Sequence, residues 1–399
     1  MPVAWSRLFL LLGITHASFS ASLLSSCDEF DALVGVDEEI SWLTVVGSNS
    51  TILKSADSGR TWCQVRVDSV VGNASVTFND VSMLSAREIF VVGDTMTILH
   101  STDSGRTFDP LAVELIGNRS EANLLSTDYV RDSLAYAVGT DGVILKCDLE
   151  GDPASCQLAA EKVRVTLNSV LFVGSQVGFA VGEPGTCGAD SVNFGECYTL
   201  EHLDSLNRTS VALRTQDGSQ NWQLTDQLSG LQTLTSTAVN FSAVSFSVAV
   251  AGLNSTFYQV SAVDTQWKWQ QRPIPFHMDI LALHQVGHNV VAAGVNGTLA
   301  YLLPSGEWVS KCNGDCAFGT LDLKGAFFPS ETSGVVVGDN KIYRTSDGNV
   351  WTEVLTLDPS ISLHGLAGRR VGDYAAAGTH SPSLLLLVLL AVTSLAWSL

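Results

Sequence analysis

The sequence predicts an all-β fold, a β-propeller of four-stranded blades, and three observations predict it. A glycine preceded by small or β-branched residues recurs at Gly47, Gly93, Gly139, Gly182, Gly252, Gly294 and Gly338, with a further copy at Gly378. The successive gaps are 46, 46, 43, 70, 42, 44 and 40 residues, so one repeat carries an insertion. Each interval holds short β-branched or aromatic runs bounded by Gly, Asp, Ser or Asn, which is strand-and-turn patterning. No stretch between the two ends shows a long 3.6-residue periodicity. Four strands every 40 to 46 residues are the signature of a propeller blade.

Residues 1–22 read as a secretory signal peptide: one cation at Arg7, an apolar run from Leu8 to Ile14, then small residues up to Ser22. The propeller occupies residues 23–378. In its second unit, DVSML, EIFVVGD, TILHSTD and TFDPLAV are the four expected strands. DALVGVDEEISWLTVVG near the start and ISLHGLAGRRVGDYAAAG near the end both read as first-and-second-strand pairs. Either seven blades close with a spare pair or an eighth is half built; seven is the expected number. Residues 379–399 form the hydrophobic tail. Small residues at Ala375 to Gly378, a polar spacer and a largely apolar tail of 16 residues from Leu384 to Leu399 have the layout of a glycosylphosphatidylinositol attachment signal. Sixteen residues are short against the roughly 20 of a membrane-spanning helix.

Between the third and fourth strands stands the pattern Ser/Thr-x-Asp-x-Gly-x-x-aromatic. It comprises Ser55, Asp57, Gly59 and Trp62 in the first copy, and Ser101, Asp103, Gly105 and Phe108 in the second. Thr215, Asp217 and Trp222 keep it with Ser219 in place of glycine, and a shortened copy has Thr345, Asp347, Gly348 and Trp351. The Asp carboxylate suits backbone N–H groups of its own turn, the hydroxyl joins the network, and Gly supplies positive φ. The pattern therefore reads as a hairpin clasp, and no catalytic residue is assigned to it.

The insertion, residues 183–210, falls in the loop between a second and a third strand. Long loops on rigid scaffolds are where function tends to sit. Its acidic residues Asp190, Glu196, Glu201 and Asp204 make it the candidate binding loop. Eight cysteines behind a signal peptide imply disulfides. Proximity pairs Cys147 with Cys156, Cys187 with Cys197 and Cys312 with Cys316, leaving Cys27 for Cys63, although sequence alone leaves the connectivity open. Seven Asn-x-Ser/Thr sites at Asn49, Asn73, Asn118, Asn207, Asn240, Asn254 and Asn296 are candidate glycosylation positions, all expected on the face of the two-to-three loops and interblade connections.

The formal net charge is −19, with 40 acidic side chains against 21 basic ones, which excludes nucleic acid as a partner. No C-x-x-C zinc spacing occurs. His284 and His288 have the i, i+4 spacing of a helical zinc pair but lie in a strand-rich segment without the accompanying Glu. No metal or cofactor is expected. A sialidase-type site needs three converging arginines, yet Arg60 and Arg106 fall in the clasp hairpins, Arg87 and Arg369 in first-to-second-strand turns, and Arg119 and Arg208 within glycosylation sites.

The clasp is the Asp box, or bacterial neuraminidase repeat. Together with the unit VG-x-x-G-x-I-L-x-x-x-D, seen best in YAVGTDGVILKCD at Tyr136 to Asp148, it resembles the propellers of the photosystem II stability and assembly factor family. Sialidases and the sortilin ectodomain share this unit. The resemblance implies the propeller fold and, as one reading, an assembly factor in a plastid thylakoid lumen. The residues themselves point to a non-catalytic scaffold binding a protein or glycan on the extracellular face of the plasma membrane, held there by the C-terminal lipid anchor. A glycoside hydrolase of the Asp-box propeller type is the third reading, since two carboxylates beside a cleft would suffice.

Overall fold

In the computed structural model, the described residues are 23–24, 27 and 41–370, less 73–74, 115–119, 131–132, 152, 161–162, 188–196, 200–208, 226–227, 229–232, 242–245, 262–267 and 313–316. The signal peptide, the C-terminal tail and Gly378 lie outside them. Seven sheets, each built on four antiparallel strands and three of them with a fifth added, follow one another as the blades of a propeller. Their innermost strands are Leu363–Arg370, Phe78–Met83, Leu124–Val130, Leu167–Val173, Leu234–Phe241, Ile280–Val286 and Gly325–Phe327, for blades 1 to 7. Apolar clusters fill the spaces between neighbouring sheets: Tyr136 and Val138 of blade 3, for example, pack with Phe172 and Trp222 of blade 4.

The question of closure resolves at blade 1. The start of the chain supplies its second strand, Ser41–Gly47, and the end supplies its first, Leu363–Arg370; the two pair antiparallel from Ser41 opposite Arg370 to Gly47 opposite Leu363. Among the described residues each terminal segment therefore gives one strand rather than two, and no eighth sheet is present. A second departure concerns TFDPLAV, read above as one strand. The outer strand of blade 2 is only Asp109–Pro110, and Ala112–Glu114 pairs parallel with Ser155–Leu158 of blade 3. After Pro110 the Leu111 N–H makes one more bond to Ile98 O, at 3.1 Å, and the chain then passes to the next blade. Leu23–Leu24 covers the outer strand of blade 1 in the same parallel fashion.

The recurring glycine ends the second strand of a blade or, in blade 4, sits within it. A Cβ added there would lie 1.9 to 2.3 Å from a backbone carbonyl oxygen in all seven blades: Ser362, Thr77, Asn123, Thr166, Thr233, Asp279 and Asp322 in turn. Each of those carbonyls belongs to the segment entering the same blade's innermost strand, which folds over the glycine. The residue after the glycine donates its N–H to the same oxygen in six blades, as Thr140 does to Asn123 at 3.0 Å. Lack of space selects glycine here, since Gly139, at φ −172°, has an extended backbone open to any residue.

The Asp-box hairpins have a common network. Asp57 Oδ1 accepts from the N–H groups of Arg60 and Thr61, both at 2.9 Å, and from Ser55 Oγ at 2.8 Å. Thr61 Oγ1 donates to Asp57 Oδ2, while the Gly59 N–H donates to Ser55 Oγ. Ser101, Asp103, Gly105 and Thr107 repeat this arrangement. Burial pushes the Asp103 carboxyl up, and the bonds from Thr107, Ser101 and Arg106 outweigh it, leaving the group below the usual range. In the third copy Ser219 adopts φ +73°, the conformation that Gly59 and Gly105 occupy at +80° and +68°. Its hydroxyl accepts from Trp222 Nε1, giving serine a purpose at a glycine position. Thr345 and Asp347 close the short copy with the N–H groups of Gly348, Asn349 and Val350. Trp62, Phe108, Trp222 and Trp351 are all buried behind these turns. Blade 3 carries the Cys147–Cys156 disulfide across its outer hairpin instead.

One polar column in the third strands went unread in the sequence. Lys54, His100, Lys146, Arg214, Gln259, Tyr301 and Arg344 occupy equivalent register positions, just before or near the clasp hydroxyl. Several bridge blades: Lys146 Nζ donates to Gly218 O, Arg344 Nε to Ser58 O, and His100 contacts the Tyr129 hydroxyl. The first two satisfy a carbonyl in the next blade's Asp-box hairpin. A long polar residue at one place in an otherwise apolar strand was the available signal.

Candidate functional site

The seven innermost strands surround a central lumen of about 1660 Å³, open along the axis. Its wall carries a bulge one residue into the innermost strand, where the register slips in blades 1 to 6. A bulge inserts an extra residue and bends the strand. The inserted side chains reach the neighbouring blade: Asn79 Nδ2 donates to Leu124 O and Asn168 Nδ2 to Leu234 O, both at 2.9 Å, and Thr235 Oγ1 donates to Ile280 O at 2.5 Å.

The next residue along forms an arc of contacts over blades 2 to 5. Asp80 Oδ2 accepts from the Thr127 N–H at 2.9 Å, Ser126 Oγ from Val170 at 3.3 Å, and Ser236 Oγ from Leu283 at 2.9 Å, each reaching the following blade. Ser169 bonds Thr237 through their hydroxyls at 2.8 Å. The innermost strand of a blade has one edge without a ladder partner, and its N–H groups need acceptors. Small polar side chains of the preceding blade supply them.

Three acidic residues line the lumen, Asp80, Glu88 and Asp128, and the first and last stand in this wall. Burial pushes Asp80 up to about 6, against the opposing donors Thr127, Val81 and Ser126 and with a further upward contribution from Asp128. Burial likewise pushes Asp128 up to about 6, opposed by the Phe172 N–H, which donates to Oδ2 at 2.6 Å, and by the charge of Arg369. Folding raises both groups above their ordinary 3.8, so the stability they lend is full below that value and is lost as pH rises through about 6. Relative to the parent, Asp128→Asn is therefore expected to gain stability as pH rises from 4 to 6, by at most about 1.4 kcal/mol per pH unit. Thermal melts of both proteins at pH 4.5 and 7.5 check this; a constant difference would show that Asp128 ionises normally.

Of the arginines, Arg87 and Arg369 line the lumen. Arg369 lies within the innermost strand of blade 1 rather than in a turn, because that strand runs on to Arg370, and its Nε donates to Met83 O. Arg60 and Arg106 remain in the Asp-box hairpins, and Arg119 and Arg208 lie outside the described residues. No three arginines line the lumen among the described residues. His284 lines it, with Nε2 3.2 Å from Phe328 O, whereas the strand ends at Val286 and leaves His288 in an exposed turn. Among the described residues no group of three His, Cys, Asp or Glu is disposed to hold a metal.

The candidate binding-loop residues Asp190, Glu196, Glu201 and Asp204 lie outside the described residues. At the base of that insertion, the second strand of blade 4 continues to Cys187, whose backbone pairs opposite Cys197. Cys27 is bonded to Cys63; Cys316 lies outside the described residues. Among the glycosylation sequons, Asn49, Asn254 and Asn296 are exposed in two-to-three loops at φ +55°, +52° and +54°. That left-handed position favours Asn by itself, which accounts for the recurrence. Asn240 departs from the expected single face: the first strand of blade 5 runs on to Phe241, carrying Asn240 toward the opposite, Asp-box face. Asn73, Asn118 and Asn207 lie outside the described residues.

Residues 32–118, which span blades 1 and 2, match the family model described as photosynthesis system II assembly factor YCF48. No curated protein matches. Among solved structures, YCF48 bound to D1 peptide aligns with a TM-score of 0.50 at 14% identity, covering 74% of this chain and 92% of that one. YCF48 from Cyanidioschyzon merolae aligns with a TM-score of 0.50 at 16% identity, covering 71% and 86%. At these identities the structural likeness is one of fold. The chain is thus a seven-bladed propeller with Asp boxes in four of its blades, similar in sequence over its first two blades, and in fold over most of its length, to the photosystem II assembly factor YCF48.

Proposed function

We propose that this protein is a non-catalytic propeller that binds a segment of another protein. The observation that carries the reading is the disposition of the lumen's polar groups. Asp80, Asp128, Ser126 and Ser236 accept from the backbone of the next blade, so they hold the ring together rather than face a reacting bond. YCF48, similar to this chain in blades 1 and 2, is known bound to D1 peptide, which supports a protein ligand over a glycan.

Two settings fit such a scaffold. The family match favours an assembly factor for photosystem II in a thylakoid lumen. The leader at residues 1–22 and the tail at 379–399 favour a scaffold carried through the secretory pathway and tethered to the plasma membrane by a lipid anchor. Imaging a copy tagged within residues 188–196 separates them: plastid signal with co-purified photosystem II subunits supports the first, and surface signal released by phospholipase the second. Glycoside turnover abolished by Asp80→Asn or Asp128→Asn would overturn the non-catalytic reading.

A further inference from the structure

We propose that Leu23–Leu24, the strap over the outer edge of blade 1, is a redox latch: thiol–disulfide exchange at Cys27 with a dithiol reductant releases it and bares the edge of Trp62–Val65. The inference is independent of what the lumen binds. Leu23 and Leu24 pair parallel with Trp62 and Cys63, a ladder of only two residues. Leu23 is 38% exposed, so its side chain contributes little apolar burial. Fixing an extended segment costs more conformational entropy than two residue pairs offset. The bond from Cys27 to Cys63, residues 36 apart in sequence, is what holds the strap, and Cys27 packs beside it with Ala56 and Trp42. The outer strand itself does not depend on the strap. It pairs antiparallel with the third strand, Ile52 opposite Val65, Leu53 opposite Gln64 and Lys54 opposite Cys63, behind a hairpin fixed by Asp57.

Blade 3 shows the contrast. Its outer strand is covered in the same parallel way by Ala112–Glu114, but that segment follows directly on the outer strand of blade 2 and no disulfide fastens it. The Cys147–Cys156 bond joins residues directly opposite each other in one ladder, with Lys146 opposite Gln157 and Asp148 opposite Ser155 on either side. Opening it frees no segment. Cys63, Cys147 and Cys156 are fully buried, whereas Cys27 is only half-buried, so a thiolate meets sulfur at Cys27. One thiolate of the dithiol bonds to Cys27 Sγ, and the electron pair of the S–S bond leaves on Cys63 Sγ, which takes up a proton. The second thiol gives up its proton, displaces Cys27 Sγ and closes the disulfide of the oxidised reductant. Two electrons and two protons thus pass to the cysteine pair. With the tie gone, the N–H and C=O groups along the outer side of Trp62–Val65 become an open edge, a template for another strand.

The test treats the oxidised full-length protein with graded dithiothreitol, traps thiols with iodoacetamide for mapping by mass spectrometry, and follows backbone hydrogen exchange over Trp62–Val65. Cys27 and Cys63 are expected to be alkylated at a dithiothreitol concentration about tenfold below that which opens Cys147–Cys156. At that concentration exchange over Trp62–Val65 is expected to quicken by about tenfold or more while the cooperative thermal transition persists. Cys27→Ser, which cannot form the tie, is expected to show the same fast exchange without reductant. Opening of Cys147–Cys156 first or together with Cys27–Cys63 overturns the proposal. So does unchanged exchange once Cys27–Cys63 is open, which would show that the strap stays in place without its bond. Loss of the thermal transition on opening overturns it as well, since the bond would then support the whole fold rather than the strap.

Discussion

A chain ending at Asp358 is expected to lose its cooperative thermal transition. Removing the residues beyond it takes away Leu363–Arg370, the innermost strand of blade 1. Ser41–Gly47 then loses its inner ladder, and the buried Leu363 leaves the cluster that it shares with Leu43, Val45 and Val337. The contact between blades 1 and 2 opens as well, because Gly365 packs directly on Asp80. In a ring, every blade is held by both neighbours, so one missing strand creates two open interfaces and an unpaired hydrophobic edge. Differential scanning calorimetry checks the outcome, and a synthetic peptide of residues 359–370 added in trans is expected to restore part of the transition. A truncated protein melting sharply within a few degrees of the parent would show that closure contributes little.

Gly139→Ala is expected to destabilise the protein by about 3 kcal/mol or more. The new methyl would stand 1.9 Å from Asn123 O and 2.8 Å from its carbonyl carbon. Both are backbone atoms of the segment that enters the innermost strand of blade 3, so no side chain can rotate away to relieve the clash. Displacing that segment strains the bond from the Thr140 N–H to Asn123 O and disturbs the bulge that aims Ser126 at blade 4. Gly174→Ala is the control: it has positive φ, +69°, but nothing within 4 Å of its Cβ, and the expected cost is only about 1 kcal/mol of backbone strain. Chemical denaturation of the two variants should separate lack of space from lack of conformational freedom. Equal losses would refute the spatial account of the repeat.

Much of the blade was legible in the sequence because it depends on neighbours in the chain. Ser55, Asp57, Gly59 and Thr61 bond to partners two to four residues away, so their spacing is the structure of the hairpin. Short β-branched runs bounded by turn residues located the second and third strands for the same reason. The outer strands were less legible. Gln223–Leu224 and Gln270–Gln271 are two residues long, too short for periodicity to register.

The lumen was hidden almost completely. Asp80 matters through Thr127, 47 residues away, and Asp128 through Phe172, 44 away. Each bond spans roughly one repeat, and blades 6 and 7 and the closing strand have Ala282, Gly325 and Gly365 where Asp80, Ser126 and Ser169 stand, so no pattern along the chain announced the arc. Asn240 was misplaced because the length of its strand follows from pairing with Phe246–Gly252, not from the position of the repeat glycine.

The sequence by itself determined the repeat, the inner three strands of a blade, the clasp at each Asp box and the recurrence of glycine at Gly47 and its six equivalents. Only the tertiary structure decided which strand closes the ring and which carboxylates line the lumen. The reason is separation along the chain. Hairpins form between residues a few positions apart, whereas the closing pair Ser41 and Arg370 lies 329 residues apart, and such a contact is selected by the geometry of seven packed sheets rather than by any local preference.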